Sequence, residues 1–556
     1  MSEKDVEADI ASASVHDRDV TQEGSRVSII KDFDPKTQNL LGQPKWPKRK
    51  FLPTFFGLGL AMFLVCASET ISNQQVASLA TTMKTTIFSQ WLVSGYLLTC
   101  VMVQPIYVKL AEIYGRKWPL FISIFIFSVF SIMCGASQSF IAIVLGRAFQ
   151  GLGGAGVMPL SLVVLTDITT PHHRPLWLGL FGAIIILGMW IGPLLGSAWL
   201  EYSSWRWAYY HSAICGFASL GILGFTLHDL PSPPGMLSRK IRHFDYLGTL
   251  TWLGGSIMIL LALAWGGNEH PWRSATIVCL FVIGFFVIIV FGIIELRFTK
   301  WPIIPLHLLV KPQVLLSTIA SAFVGMAACG EIFFVPIYYH TVRNQNNTHA
   351  SAQLLWFALG GCVSAIAAGI ACVKTYNYRI FILAGTALMA IGYGLMYTWK
   401  VEEQRGKEIG YQIITGFGFG LCTQQILLAG QAGLKFNDVA TVTTLVDYSR
   451  TLGGMIGLVI GEVILKDQII KKMDDVLDGL SFLPKVDLSR MDLVTLQNYL
   501  PLLNKLSSSI TAPIYEAIVG AIGLTLAVYV AFAGAAFLAS IFLKPKPLVS
   551  PQPVSS

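Results

Sequence analysis

Fourteen runs of roughly 20 predominantly apolar residues, each long enough to cross the hydrocarbon core of a bilayer, dictate what this chain can become. They lie near 52–76, 88–108, 118–137, 140–166, 177–200, 207–229, 246–266, 275–295, 314–340, 352–373, 380–399, 409–434, 439–465 and 514–543. In lipid every backbone polar group must be satisfied within the chain, so each run reads as a helix and the fold as an all-α polytopic membrane protein. Only 13% of the 556 residues are charged, against about 25% in a soluble domain. The net charge of +8 could point to nucleic acid, but no basic run is interleaved with aromatics, and the Lys and Arg residues gather in alternate loops instead. The nine cysteines all fall inside apolar runs, with no CxxC or Cys/His spacing. They are packing residues, with neither a disulfide framework nor a metal site expected. No nucleophile–base pair or cofactor motif is present, which argues against an enzyme.

Loop charge sets the orientation. Lys45, Lys48, Arg49 and Lys50 directly precede the first span and place the N-terminus in the cytoplasm. An even number of spans returns the C-terminus to the same side. The inner loops then carry Lys109, Arg116, Lys117, Arg174, Arg239, Lys240, Arg242, Arg297, Lys300, Lys311, Lys374, Arg379 and Lys435, while most short outer loops carry one basic residue or none. The loop near 400–408 departs from this, with three. The sequon Asn346-Asn347-Thr348 falls on the outer side, which makes Asn346 a glycosylation candidate. No cleaved signal peptide is expected.

The chain also repeats itself at an offset of 262 to 265 residues. Ala67-Ser68-Glu69 aligns with Cys329-Gly330-Glu331, Gly115-Arg116-Lys117 with Asn377-Tyr378-Arg379, and Gly151-Leu152-Gly153 with Gly416-Phe417-Gly418. Gly188, Gly192 and Gly196 align with Gly453, Gly457 and Gly461. Four matches in order imply two pseudo-symmetric six-helix bundles with two inserted helices. The expected organisation is a disordered cytoplasmic tail (1–50), an N-terminal six-helix bundle (51–229), two linker helices (230–313), a C-terminal six-helix bundle (314–543) with an outer loop at 466–513, and a cytoplasmic tail (544–556). Two such repeats suit a carrier whose site lies at mid-membrane between the halves.

Several residues stand out against this background. Gly188, Gly192 and Gly196 line one helix face, where another backbone can approach closely, and Pro193 removes a donor at the same level. Arg147, Gln150, Gly151 and Gly154 share a face of span 4. An arginine inside a span costs at least ~2.5 kcal/mol unless it meets a cavity or a partner, so Arg147 either snorkels to one leaflet or does functional work. Glu69 lies in a polar patch with Ser68, Thr70, Asn73, Gln74 and Gln75, and with Glu331 it is an acid near mid-span. Either carboxyl serves proton transfer or stays protonated and hydrogen-bonded within its bundle. Gln424 and Gln425 either line a polar path or bond between helices. Asp447 and Arg450, three residues apart, form a local ion pair or a gate contact. Gly151, Gly153 and Gly156 formally satisfy GxGxxG, but no strand precedes them, so a dinucleotide site is excluded.

Taken together, these motifs resemble the major facilitator superfamily, in particular its fourteen-span drug:proton antiporter branch. Span 4 carries the branch's Arg-x-x-Gln-Gly pattern at Arg147, Gln150 and Gly151, and Gly188 to Gly196 carries its antiporter motif, with Ser197 in place of the last glycine. Val108 to Lys117 resembles the family's inner-gate loop: Glu112, Gly115, Arg116 and Lys117 are retained in kind, and Val108 replaces a glycine. In span 1 the family's Asp-x-Thr becomes Ser68-Glu69-Thr70, which moves the acid by one residue. The resemblance implies a proton-driven exporter of small amphipathic organic compounds working by alternating access as a monomer. Glu69, Arg147 and Glu331 would couple protons, and Asn73, Gln74, Gln150, Gln424 and Gln425 would line the substrate cavity. Glu112, Gly115, Arg116, Lys117, Gly188, Gly192, Pro193, Gly196, Asp447 and Arg450 would act in the conformational gate, with the seams at spans 5 and 13 letting the halves rock. The rival readings are a siderophore or basic amino-acid transporter and a non-transporting membrane sensor. The cell membrane is the expected location and the vacuolar membrane the alternative.

Overall fold

The structure is a computed structural model that describes residues 48–83, 91–227, 244–267, 270–299, 302–304, 306–402, 404–479 and 508–546. Most of the predicted tails, most of the inner loop with Arg239, Lys240 and Arg242, and residues 480–507 of the predicted outer loop lie outside these. Among the described residues there are fourteen long helices: α1 (Lys48–Thr82), α2 (Trp91–Tyr114), α3 (Lys117–Ala136), α4 (Phe140–Ile168), α5 (Arg174–Tyr202), α6 (Arg206–Thr226), α7 (Tyr246–Trp265), α8 (Ala275–Arg297), α9 (Pro312–Thr341), α10 (Leu355–Thr375), α11 (Tyr378–Met396), α12 (Arg405–Gln431), α13 (Phe436–Gly479) and α14 (Ser508–Ile541). Twelve are long and apolar enough to cross a membrane; α6 and α13 fall outside that set. They occupy the sixth and thirteenth predicted spans.

The repeat is visible in the packing. In the first half α1 packs on α5 and α6, and α4 on α2 and α3; in the second half α9 packs on α13 and α14, and α12 on α10 and α11. Pairings across the halves complete the body, among them α5 with α10, with α12 and with the short helix Asn347–Ala352, and α13 with α4 and α2.

Where α5 meets α1, a Cβ at Gly192 would stand 2.8 Å from the Ala67 carbonyl oxygen, and one at Gly196 would stand 2.6 Å from that of Ile71. The second copy, on α13, meets the Ala322 and Met326 carbonyls of α9. Both seams therefore join helices of one half. Periodicity marks a face but does not name the helix that covers it. On α5 the approach to the other half is made elsewhere, at Gly179, where a Cβ would stand 2.6 Å from the Ala365 carbonyl of α10.

The inserted pair α7–α8 lies against both α2 and α13 through a buried cluster that includes Leu98, Val101, Trp252, Phe291, Tyr448 and Met455. Trp252 donates its indole N–H to the Met102 carbonyl of α2 at 2.9 Å, and its ring lies 5.7 Å from that of Tyr448 on α13. At the outer end Trp265 meets Trp91 on α2, and Lys466 of α13 donates to the Gly267 carbonyl. The pair thus straddles the line where the halves meet. Trp252→Phe removes one hydrogen bond and the pyrrole half of a buried indole, so a loss beyond the roughly 0.5–1.5 kcal/mol of the hydrogen bond alone is expected. It should read as a fall in melting temperature in detergent.

Helix α13 runs well past its expected end at 465. Its 44 residues span about 66 Å, roughly twice the hydrocarbon thickness. No proline interrupts 466–478, Asp467 and Lys471 pair one turn apart at 2.8 Å, and Ile469 is buried, so the predicted loop begins as helix.

Candidate functional site

Two polar clusters lie where α1 faces its neighbours. The first is sealed inside the N-terminal bundle. Arg147 is fully buried and donates to the Leu92 carbonyl (3.1 Å), Ser68 Oγ (3.1 Å) and Gln150 Oε1 (2.7 Å), with its guanidinium 4.2 Å from the Tyr96 ring centroid. Gln150 Nε2 in turn donates to Ser68 (3.2 Å) and Ser131 (2.6 Å). Snorkelling is thereby excluded. The partners are hydroxyl, amide and carbonyl oxygens and a π face, and among the described residues one guanidinium nitrogen, Nη2, is left without a hydrogen-bond partner.

The second cluster sits between the halves. Glu69 is half-buried and makes no hydrogen bond among the described residues. Its neighbour Ser68 accepts from Arg147 and Gln150 in the sealed network. Asp447 on α13 accepts Arg450 at 2.7 Å and Gln104, on α2, at 3.0 Å. The ion pair that the spacing offered is present within α13, and the Gln104–Asp447 hydrogen bond joins the halves.

Below this level the inner ends are closed. Glu112 accepts Lys109 (3.1 Å) and, across the halves, Thr441 (2.6 Å). Gly115 takes a left-handed φ of 88° at the turn that sets Arg116 against Asp167 at 3.3 Å, and Lys117 lies over the Phe121 ring. His172 Nδ1 and the Tyr376 hydroxyl stand 3.2 Å apart, joining the α4–α5 and α10–α11 turns. Partial burial, and then neighbouring His173, push the His172 imidazole below its ordinary value and favour its neutral form.

Above, a cavity of about 370 Å³ is lined by the outer parts of α1, α2, α5, α7, α9 and α13 and by Trp272, and reaches exposed Asp467. Leu97, Phe333, Ile337, Leu458 and Val459 supply apolar wall; Gln74, Ser94, His340, Glu462 and Lys466 supply polar groups; Pro193 borders it. With the basic face taken as cytoplasmic, this cavity lies on the outer side of the body and the contacts of Glu112, Arg116 and His172 on the inner side.

The remaining predicted residues fall elsewhere. The Asn73 side chain lies outside the described residues. Gln424 and Gln425 are buried on α12, Gln424 against Gly182 of α5, and neither borders the cavity. Glu331 is fully buried, and neither carboxyl oxygen has a hydrogen-bond partner among the described residues. Its neighbours Ile332 and Phe333 line the cavity, but Glu331 does not. Asn346 is exposed at the start of the short helix Asn347–Ala352, whose Thr348 donates to Glu201 at 2.6 Å. Sequence reading missed Gln104, Thr441 and Asp167, and also Glu408, which pairs with Arg343 at the outer end of the second half. A polar residue in an apolar run was the available signal for Gln104, and Asp167 was an acid at the end of span 4.

The sequence pattern of the Major Facilitator Superfamily matches residues 58–458. The chain belongs to this superfamily. Among similar curated proteins, Efflux pump dotC of Dothistroma septosporum is 31% identical over 427 residues, covering 77% of this chain and 73% of its own. An MFS-type transporter of Claviceps purpurea is 30% identical, covering 87% and 83%. The MFS-type efflux pump MFS1 of Arthroderma benhamiae is 31% identical, covering 80% and 83%. Among solved structures, an inward-facing bacterial homologue of the human lysosomal transporter Spinster superposes with a TM-score of 0.55 at 15% identity, covering 90% of this chain and 99% of its own. The human organic anion transporter MFSD10 gives 0.54 at 12%, covering 90% and 100%. These superpositions speak to the fold. The superfamily member described here is thus a multi-pass membrane transporter, not an enzyme.

Proposed function

We propose that this chain is a proton-coupled exporter of small amphipathic organic compounds. The observation that carries the reading is the position of Glu69: a half-buried acid between the halves, below an outward cavity of largely apolar lining. An ionisable group within a span is expensive unless it works. In the proposed cycle a proton from outside neutralises Glu69, the inner contacts at Asp447 and Glu112 part, and the proton leaves inward as substrate enters. The sealed Arg147–Gln150–Ser68 network fixes α1 against α4. Relatives named efflux pumps support the direction of transport.

The test is efflux of the fluorescent amphipathic cation rhodamine 6G from vesicles carrying the purified protein, with an imposed pH gradient and after its collapse by a protonophore. A fall of about tenfold or more on collapse is expected. Efflux unchanged by the collapse would overturn proton coupling.

A further inference from the structure

We infer that the outer turn of the inserted pair α7–α8 is a wall of the substrate site, and that the Trp272 indole touches the transported molecule there and selects planar aromatic compounds. The inference rests on the exporter reading above and names the substrate class of its cavity. Leu263 and Ala264 at the end of α7, then Gly266, Gly267 and Trp272 of the turn, border the cavity beside residues of α2 and α13. The inserted pair is therefore more than a strut between the halves.

The turn holds this ring in one place. Gly267 takes a left-handed φ of 76°, which glycine adopts without strain, and reverses the chain after α7. Its N–H donates to the His270 carbonyl at 2.9 Å, and the His270 N–H donates to the Trp265 carbonyl at 3.1 Å. The indole packs on the bare backbone of Gly266 and Gly267; a Cβ at Gly267 would stand 2.6 Å from its Nε1. Phe281 of α8 stacks on it, with 6.4 Å between ring centroids. Lys466 of α13 donates to the Gly267 carbonyl at 3.2 Å, which ties the turn to the wall across from it. The Trp272 ring is half-buried, and its indole N–H has no hydrogen-bond partner among the described residues. A fixed indole thus offers the cavity an aromatic surface and one free donor. Leu97 of α2, Phe333 of α9 and Leu458 of α13 add apolar wall. A flat, rigid aromatic ligand gains ring contact here at little cost in lost freedom, and a flexible aliphatic one gains less.

The test is equilibrium binding to the purified full-length protein in lipid nanodiscs, with empty nanodiscs subtracted. Two organic cations of equal charge are compared: planar rhodamine 6G, by fluorescence anisotropy, and non-aromatic tetrapropylammonium, by calorimetry. Trp272→Ala should weaken rhodamine 6G about fivefold or more and tetrapropylammonium less than about twofold. Trp272→Phe, which keeps an aromatic ring, should recover most of the difference. Should Trp272→Ala fail to fold, Trp272→Leu still packs on the two glycines and should show the same selective loss. Phe285→Ala, at an exposed position on α8 away from the cavity, should change neither affinity. A wild-type protein that binds neither cation overturns the exporter reading and this assignment with it. Binding of tetrapropylammonium without rhodamine 6G, an unchanged rhodamine 6G affinity in the Trp272 variants, or an equal loss for both cations overturns the assignment of Trp272 alone.

Discussion

Glu69→Gln should abolish transport driven by a pH gradient while leaving the protein folded and able to exchange substrate down its own gradient. Glutamine has nearly the same shape and cannot ionise. Glu69 makes no hydrogen bond among the described residues, so the substitution breaks none there. Removing a charge from mid-membrane also relieves a cost rather than adding one. The expected loss is therefore in coupling: driven rhodamine 6G efflux falls by at least about tenfold, and counterflow exchange between equal pH on both sides persists. Driven efflux at the wild-type rate would remove Glu69 from the mechanism. Loss of both activities with an unchanged melting temperature would make Glu69 a substrate ligand instead.

That such a residue can be named from sequence follows from how costly it is to place. An acid in an apolar run is conspicuous, and so are Arg147 and the glycine stripe, because lipid penalises each unless structure compensates. The spans themselves are legible for the same reason, since length and hydropathy act locally. Partners are not local. The one-residue shift from 68 to 69 was visible, but which neighbour each side chain meets depends on how α1 is rotated against α4 and α13. The stripe at Gly192 showed that a backbone comes close, but not that it is Ala67 of the same half. Gln104 gave too little signal in a span until Asp447 was seen beside it. The end of α13 was misplaced because hydropathy stops at the membrane, while the helix continues on its own i, i+4 charge pair.

The rotation of α1 is itself open to test through Gly192. A side chain there would drive its Cβ to 2.8 Å from the Ala67 carbonyl oxygen and 3.2 Å from the Ala67 Cα, backbone atoms that no rotamer can move aside. Gly192→Leu should therefore cost toward or beyond the upper end of the roughly 1–3 kcal/mol typical of overpacking, seen as a melting temperature lowered by several degrees. Gly221→Leu on α6 is the control, because a Cβ there meets nothing within 4 Å. Ala67 immediately precedes Ser68 and Glu69, so prising α5 from α1 at this point also turns Ser68 away from Arg147 and displaces Glu69. Loss of pH-driven efflux should then exceed what the fraction of folded protein explains. Pro193 already lacks the N–H that would brace α5 at this level, leaving the close contact to hold the alignment. A Gly192→Leu protein as stable and as well coupled as wild type would mean that α1 and α5 do not meet at Ala67.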